Sequence, residues 1–369
     1  MRAQKPQDSR PLAIFGAFLT FGLRAFGGPV VQIEETRAEF AHRRGWLDEE
    51  RFRRALGVYQ VLPGPEAHEM CCYLGTVRGG RIGGIAAGLG FMLPGFVLML
   101  AASVLYRVLD LSSPPVAGAL AAMQIAACAL IARASVKLVA PLWTAAIARK
   151  DPRFMVAVSA AAVSLAWLAP GDAAPLEAPH ATVMRGAGEL LGHGLAAGLV
   201  TFGGAYTALP YVSSVAAGEH GWMTPEACLD GVAIASVLPA PLVIFGTFVG
   251  YQGGGLLGAL AFTAGIFLPA FGFTFVGFGF FERLVAWRPA RTALDLLGAA
   301  AVGLVIGAAL VFAGETTGLW PRKAVVFGAM TPVLLAAAVV IAFRPKGPMT
   351  APVLVVAAGA LGALHGAIA

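Results

Sequence analysis

Apolar runs long enough to cross a bilayer recur along the whole of this chain, and nothing else in it narrows the architecture as far. One helical crossing takes roughly 20 residues. Runs of that kind lie near 12–30, 56–77, 83–106, 116–134, 153–170, 187–217, 227–250, 256–281, 293–313, 324–343 and 350–368. Charged residues make up 12% of the chain, about half the share found in a soluble globular domain. The pattern predicts a polytopic membrane protein of ten to twelve spans or half-spans. Backbone that faces lipid must satisfy its own hydrogen bonds, so the spans are expected to be helices and the fold class all-α.

The N-terminal stretch has the basic start and apolar core of a signal peptide, but Arg24 follows that core and no A-x-A-like cleavage site is evident. It reads as a retained first membrane segment. Cys71, Cys72, Cys128 and Cys228 all fall within apolar segments, without a C-x-x-C pair or a disulfide framework, and read as buried thiols. The net charge of +6 comes mainly from loop arginines and lacks the basic and aromatic constellation of a nucleic-acid binder. The only faint redox or metal candidate, Cys71–Cys72 beside His68, matches no zinc or haem ligand spacing. An embedded reductase or hydrolase is therefore disfavoured, and no cofactor, metal or nucleic acid is expected.

An internal repeat organises the chain. The stretch "FGGP" at Phe26 to Pro29 returns as "FGGA" at Phe202 to Ala205, Gly45–Trp46 returns as Gly221–Trp222, and "LPGP" at Leu62 to Pro65 returns as "LPAP" at Leu238 to Pro241. All three pairs are offset by 176 residues, and Leu93–Pro94 returns as Leu268–Pro269 at an offset of 175. The repeat divides the chain into an N-terminal copy over 11–170, a linker over 171–186 and a C-terminal copy over 187–369.

Equivalent loops of the two copies differ in charge. Residues 31–54 hold Arg37, Arg43, Arg44, Arg51, Arg53 and Arg54, whereas 207–230 holds no Lys or Arg and carries Glu219, Glu226 and Asp230. The positive-inside rule puts the first loop in the cytoplasm and leaves the second without such a hold, so the copies are expected to be inverted-topology repeats. Inversion needs an odd number of crossings between them. The short run 136–148, with Pro141 inside and Lys137 and Arg149 beside it, is assigned to the interface, which makes that parity available.

Inverted repeats whose helices are interrupted by Gly and Pro in corresponding places point to a transporter site near the bilayer midplane. Pro63 and Pro65 lack backbone N–H groups and Gly64 relaxes the dihedral constraint, so one helix should stop there and another start near Glu66. A helix start in a low dielectric presents free N–H donors, which suits an anion. Glu66, His68 and Glu69 follow at once, and ionisable groups within a membrane commonly mark proton or ion pathways. Arg24, two residues before Phe26, either snorkels at the membrane border or offers a planar fork of donors to a tetrahedral oxyanion. The second copy has Val200 there and is more neutral, with Thr201, Tyr206, Ser236 and Thr247 near its breaks.

The pattern "FGLRAFGGPVVQIEETRAEFAHRRGWLDEERF", then "LPGPEAHEMCCYLGTVRGG" and "GFMLPG", resembles the N-terminal half of the chromate ion transporter family, and "VTFGGAYTALPYV", "HGWMTPEACLDG" and "VLPAPLVIFGTFVGY" resemble its C-terminal half. The likeness covers nearly the whole chain, as a two-domain member. It implies a multi-pass exporter in the bacterial inner membrane that lowers cytoplasmic chromate, confers chromate resistance and draws on the proton-motive force. Carried over onto this chain, the family's motifs fall on Phe26, Gly27, Gly28, Pro29, Pro63, Gly64 and Pro65. With Arg24 as anchor and Phe202, Gly203, Gly204, Pro239 and Pro241 from the second copy, these are the expected substrate-binding residues, and Glu66, His68 and Glu69 the proton-coupling ones. Two departures stand out: relatives commonly carry glutamines where His68 and Glu69 stand, and a second PGP where this chain has Pro239–Ala240–Pro241. Sulfate or another tetrahedral oxyanion is the alternative cargo. The expected partners are the oxyanion and the lipid bilayer, with a homo-oligomer left open.

Overall fold

The computed structural model describes residues 9–149, 184–202, 205–218, 221–317 and 349–368, together with the single positions 153, 156 and 160. The described residues form helices and turns. In the first half these are α1 (Pro11–Gly22), α2 (Pro29–Thr36), a π-helical turn (Arg37–Arg43), α3 (Glu49–Tyr59), α4 (Glu66–Val108) and α5 (Pro114–Arg149). The second half holds α6 (Ala187–Leu199), a 3₁₀ turn (Ala205–Thr207), α7 (Ala208–Ala216), α8 (Pro225–Ala235), a second 3₁₀ turn (Leu242–Ile244), α9 (Phe245–Val276), α10 (Phe278–Ala286), α11 (Arg288–Thr317) and α12 (Thr350–Ile368). Four of the described helices are long and apolar enough to cross a membrane. The chain is an all-α, multi-pass membrane protein. The expected segments at 324–343 and most of 153–170 lie outside the described residues.

Two of the long helices are hairpins. In α4 the helix is broken at Gly79 (φ −135°, ψ 23°) and Gly80 (φ 64°, ψ −163°). In α9 the same pair of conformations recurs at Gly254 (φ −152°, ψ 22°) and Gly255 (φ 59°, ψ −148°). The left-handed φ of the second glycine reverses the chain at almost no steric cost, which a residue with a Cβ would not allow. The arms then pack through glycine: a Cβ on Gly75 would collide with the Gly83 carbonyl, and one on Gly250 with that of Gly258. Small residues let helix backbones approach this closely where lipid supplies no hydrophobic drive to associate. At 1.5 Å per residue the arm 66–78 is about 20 Å long, too short to cross a core of about 30 Å, and the arm 81–108 is about 42 Å, long enough.

Each hairpin is completed by a short helix. Against the long arm of α4 lies α1, with Gly22 on the Phe91 backbone and Gly90 on Phe15 O; against that of α9 lies α6, with Gly198 on the Ile266 backbone and Gly265 on Leu191 O. These contacts repeat at the offsets of the sequence repeat. Ring stacking fills the first unit, with Phe18 and Phe40 centroids 4.2 Å apart and Phe21 and Phe91 5.6 Å apart. The units meet along α4 and α9, where Gly88 and His68 face Phe271, Gly95 faces Ala240, and Tyr106 packs edge-on to Phe248 at 5.0 Å.

The structure departs from the sequence reading in four places. The first segment, expected to cross near 12–30, is a twelve-residue helix ending at Gly22; turn bonds from Arg24 N–H to Phe21 O and Ala25 N–H to Gly22 O follow it, and positive φ at Gly27 and Gly28 keeps the helix from resuming before Pro29. The stretch 136–148 is no separate interfacial helix: α5 runs through it, since one proline removes one hydrogen bond from an apolar run that is helical on both sides. The loops 31–54 and 207–230 are largely helical. Asp230, read as a loop acid, is 4% exposed within α8.

Candidate functional site

Among the described residues the FGGP, LPGP and LPAP breaks expected from the sequence are present, and the LPGP break of the first copy meets the residues that lead into the second FGG. Helix α3 ends at Tyr59 and α4 starts at Glu66, so 60–65 is the interruption the two prolines dictate. Within it the Gly64 N–H donates to the Thr201 carbonyl at 2.7 Å. Thr201 immediately precedes Phe202 and the second FGG, so this bond joins the LPGP break of one copy to the FGG break of the other. Phe202 is buried and its N–H donates to the Thr207 hydroxyl at 2.8 Å. Gly203 and Gly204 lie outside the described residues.

Above Gly64 stands a carboxyl without a donor. Glu69 is 1% exposed, and neither of its oxygens has a hydrogen-bond partner. A Cβ on Gly64, whose φ is 146°, would run into that carboxyl. Glu66, one helical turn earlier, is 6% exposed at the start of α4, whose N-cap is Pro65 and has no side-chain cap. Two carboxyl groups thus stand at an uncapped helix start in the protein interior.

His68 has a different setting. It is fully buried, with Nε2 3.2 Å from Gly88 O and Nδ1 3.7 Å from Cys72 Sγ, and Phe267 and Phe271 pack on its ring at 4.7 and 5.0 Å. With both ring nitrogens engaged and its faces covered, it belongs to the packing between the copies. None of the four cysteines is in a disulfide and all are buried, as the apolar surroundings predict.

Arg24 follows α1 and is exposed. Its Nε donates to Thr20 O at 3.3 Å, and it opens onto a cleft of about 340 Å³ lined by Phe21, Arg24, Glu35, Ala38, Glu39 and Arg43. Burial raises the Glu35 carboxyl above the usual carboxylate range, against the pull of Arg24. Burial acts the same way on Glu39, but hydrogen bonds from Arg43 and Arg44 outweigh it and hold that carboxyl below its usual range. Gly27 and Gly28 both take positive φ, and Gly28 is the N-cap of α2, which starts at Pro29. The carbonyl of Ala25, the residue equivalent to Thr201, accepts from Gln32 Nε2 at 2.9 Å.

In the second copy Pro239 and Pro241 are buried in the interruption between α8 and the 3₁₀ turn that leads into α9. The hydroxyls there serve their own surroundings. Thr201 and Ser236 donate to carbonyls four residues back, and Thr247 pairs with Thr263 at 2.8 Å. Sequence reasoning missed Asp230, whose carboxyl accepts from Tyr106 Oη at 2.7 Å and Gln124 Nε2 at 2.8 Å. Its membership of the apolar-flanked run "EACLDGVAIA" was the available signal.

The family profile described as Chromate transporter matches this chain twice, over 12–185 and 188–363. The chain is 40% identical over 98% of its length to a chromate transport protein of Pseudomonas aeruginosa, covering 93% of that protein. It is 27% identical to a chromate transport protein of Cupriavidus metallidurans, over 80% of this chain and 81% of that one. To a probable chromate transport protein of Synechococcus elongatus it is 26% identical, over 81% and 84%. No solved structure matches it. With both halves of the chain matched by one profile and its breaks meeting between those halves, this membrane transporter belongs to the chromate transporter family, in the two-domain form.

Proposed function

We propose that the protein is a secondary transporter that exports chromate across the bacterial inner membrane and so confers chromate resistance, with its anion site where the breaks of the two copies meet. The observation that carries the reading is the Gly64–Thr201 bond beneath the unpartnered Glu69 carboxyl. Interrupted backbone at membrane depth survives only where protein or a watery cavity covers it, and here the interruption of one copy is closed by the backbone of the other. The helix ends at Gly27–Gly28 and Glu66 supply backbone donors to an oxyanion, with Phe26, Pro29, Pro63, Gly64, Pro65, Phe202, Gly203, Gly204, Pro239 and Pro241 as the other binding residues. Arg24, exposed at its cleft, receives the anion as a charge that never titrates.

Glu66 and Glu69 are the proton-handling groups. A buried carboxylate with no donor is costly, so such a group takes up a proton or a cation from whatever reaches it. His68, whose ring nitrogens are both engaged, orients the seam rather than carrying protons. A dianion leaving a negative-inside cell gains roughly 4.6 kcal/mol per 100 mV, at about 2.3 per charge. Export therefore runs with the potential, and protons on the glutamates set the coupling.

We take the copies, over 11–170 and 187–369 with a linker at 171–186, as inverted repeats. Supporting this, Arg107 at the far end of the first long arm donates to the Tyr251 and Gln252 carbonyls beside the turn of the second hairpin. Tyr73, midway along the short arm of the first hairpin, packs on Phe278 just beyond the second long arm at 5.1 Å. Equivalent arms that meet end to turn in this way run in opposite directions.

The test is flux of radiolabelled chromate in everted membrane vesicles, with sulfate as competitor and Arg24→Gln beside the wild type. Energised accumulation that unlabelled sulfate leaves intact and Arg24→Gln abolishes is the expected result. No accumulation by inserted wild-type protein would retire chromate export, and displacement by sulfate would move the assignment to tetrahedral oxyanions at large.

A further inference from the structure

The two ends of the seam between the copies are tied by equivalent positions whose charges have been exchanged. At one end Arg54 of α3 pairs with Glu282 of α10. Arg54 corresponds to Asp230 at the offset of 176, and Glu282 to Arg107 at the offset of 175. At the other end Asp230 of α8 accepts from Tyr106, the neighbour of Arg107, while Arg107 itself holds the Tyr251 and Gln252 carbonyls and lies 4.8 Å over the Tyr251 ring. An aromatic pair accompanies each tie. Tyr73 meets Phe278 at 5.1 Å and Phe248, the equivalent of Tyr73, meets Tyr106 at 5.0 Å. Each tie therefore links the helix before the break of one copy to the other copy's long arm at its far end, or to the helix that follows it.

The ties differ in how firmly they hold. The Arg54 and Glu282 side chains are 65% and 29% exposed, whereas Asp230 is 4% exposed and saturated by Tyr106 and Gln124. An exposed ion pair contributes little net stability, while a buried carboxylate with two donors is hard to separate from them. Both ties cross from one copy to the other, so any rocking of the copies about the breaks must open at least one tie.

We propose that Arg54–Glu282 and Asp230–Tyr106 are the two latches of the transporter, closing opposite ends of the Gly64–Thr201 seam and opening in alternation. The inference rests on the transport reading above. In this structure the Asp230 latch is sealed and the Arg54 latch is the weaker one. One position, Arg54 in the first copy and Asp230 in the second, serves both ends because the copies are related by the repeat, with an acid as partner for the arginine and the Tyr106 hydroxyl as donor for the aspartate.

Cysteine cross-linking in full-length protein lacking its four native cysteines tests this. One variant carries Arg54→Cys with Glu282→Cys, the other Tyr106→Cys with Asp230→Cys, each bridged by a short bifunctional thiol reagent. Bridging either pair should abolish chromate flux in vesicles and cleaving the bridge should restore it. Bridging the first pair should also raise water-soluble maleimide labelling of a single reporter thiol, introduced by Gln124→Cys, at the other end. Flux and labelling both unchanged with the bridge formed would overturn the latches and leave the transport reading standing. An unbridged, cysteine-free parent that moves no chromate while labelling still shifts would sink the cargo and keep the latches. As a second readout, Arg54→Glu should lower flux several-fold and the exchange Arg54→Glu with Glu282→Arg should recover most of it; failure of the exchange to recover any would count against a latch.

Discussion

Glu69 is the residue on which the proposed site depends most. A glutamine there keeps shape and volume but cannot exchange a proton, so Glu69→Gln is expected to leave the protein inserted and as stable as the wild type while proton-coupled flux falls at least tenfold, the cost of about 1.4 kcal/mol at a coupled step. A Glu69→Gln protein that keeps wild-type flux and proton dependence would remove the group from coupling. Outside the membrane segments, Glu39 gives a pH prediction. Its carboxyl, pushed up by burial, is held below its usual range by Arg43 and Arg44, which win. The stability this adds to the π-helical turn is present above the ordinary carboxylate range and is lost as pH falls through the lowered value. Glu39→Gln should flatten the acid limb of a thermal-stability profile against pH, and an unchanged limb would contradict the assignment. Much of this scale was legible in the sequence: Glu66, Glu69 and Gly64 stand out because ionisable groups and broken backbone share a few apolar-flanked residues. Asp230 was not, because its donors Tyr106 and Gln124 lie more than a hundred residues away in the chain.

Among the elements, the two glycine hairpins decide the fold of each copy. Gly80 has φ 64° and ψ −163° and no heavy atom within 4 Å of where a Cβ would stand, so Gly80→Ala meets only the backbone cost of a conformation that essentially glycine alone adopts, about 1–3 kcal/mol. A Cβ at Gly75 collides with the Gly83 backbone, and Gly75→Val should force the arms apart. Thermal unfolding in detergent is expected to rank wild type above Gly80→Ala, and Gly80→Ala above Gly75→Val. Equal stability for all three would mean the arms do not pack as described. The breaks at 27–28 and 63–65 were readable from Gly and Pro. The hairpin turns were less so, since Gly79–Gly80 and Gly254–Gly255 sit in glycine-rich runs where no single pair announces a reversal. The continuity of α5 through Pro141 was misread because proline weakens a helix without always ending one.

For the whole molecule, the copy-to-copy seam joins fold to function. The repeat offsets of 176 and 175 were visible in the chain, and the structure adds that the break of one copy is bonded to the break of the other, which no linear pattern contains. Inversion makes a prediction of its own. Single cysteines at Gly45 and Gly218, in a cysteine-free background, should react with a membrane-impermeant thiol reagent from opposite faces of the membrane, and reaction from the same face would exclude inverted repeats. The most direct test of the central claim is equilibrium binding of radiolabelled chromate to purified protein, wild type against Gly64→Leu. A leucine at φ 146° is strained by about 1–3 kcal/mol, and its side chain enters the space of the Glu69 carboxyl. Saturable binding to the wild type, lost in a Gly64→Leu protein that inserts and elutes as the wild type does, is the predicted result. Unchanged chromate binding by Gly64→Leu would mean that the anion site lies elsewhere.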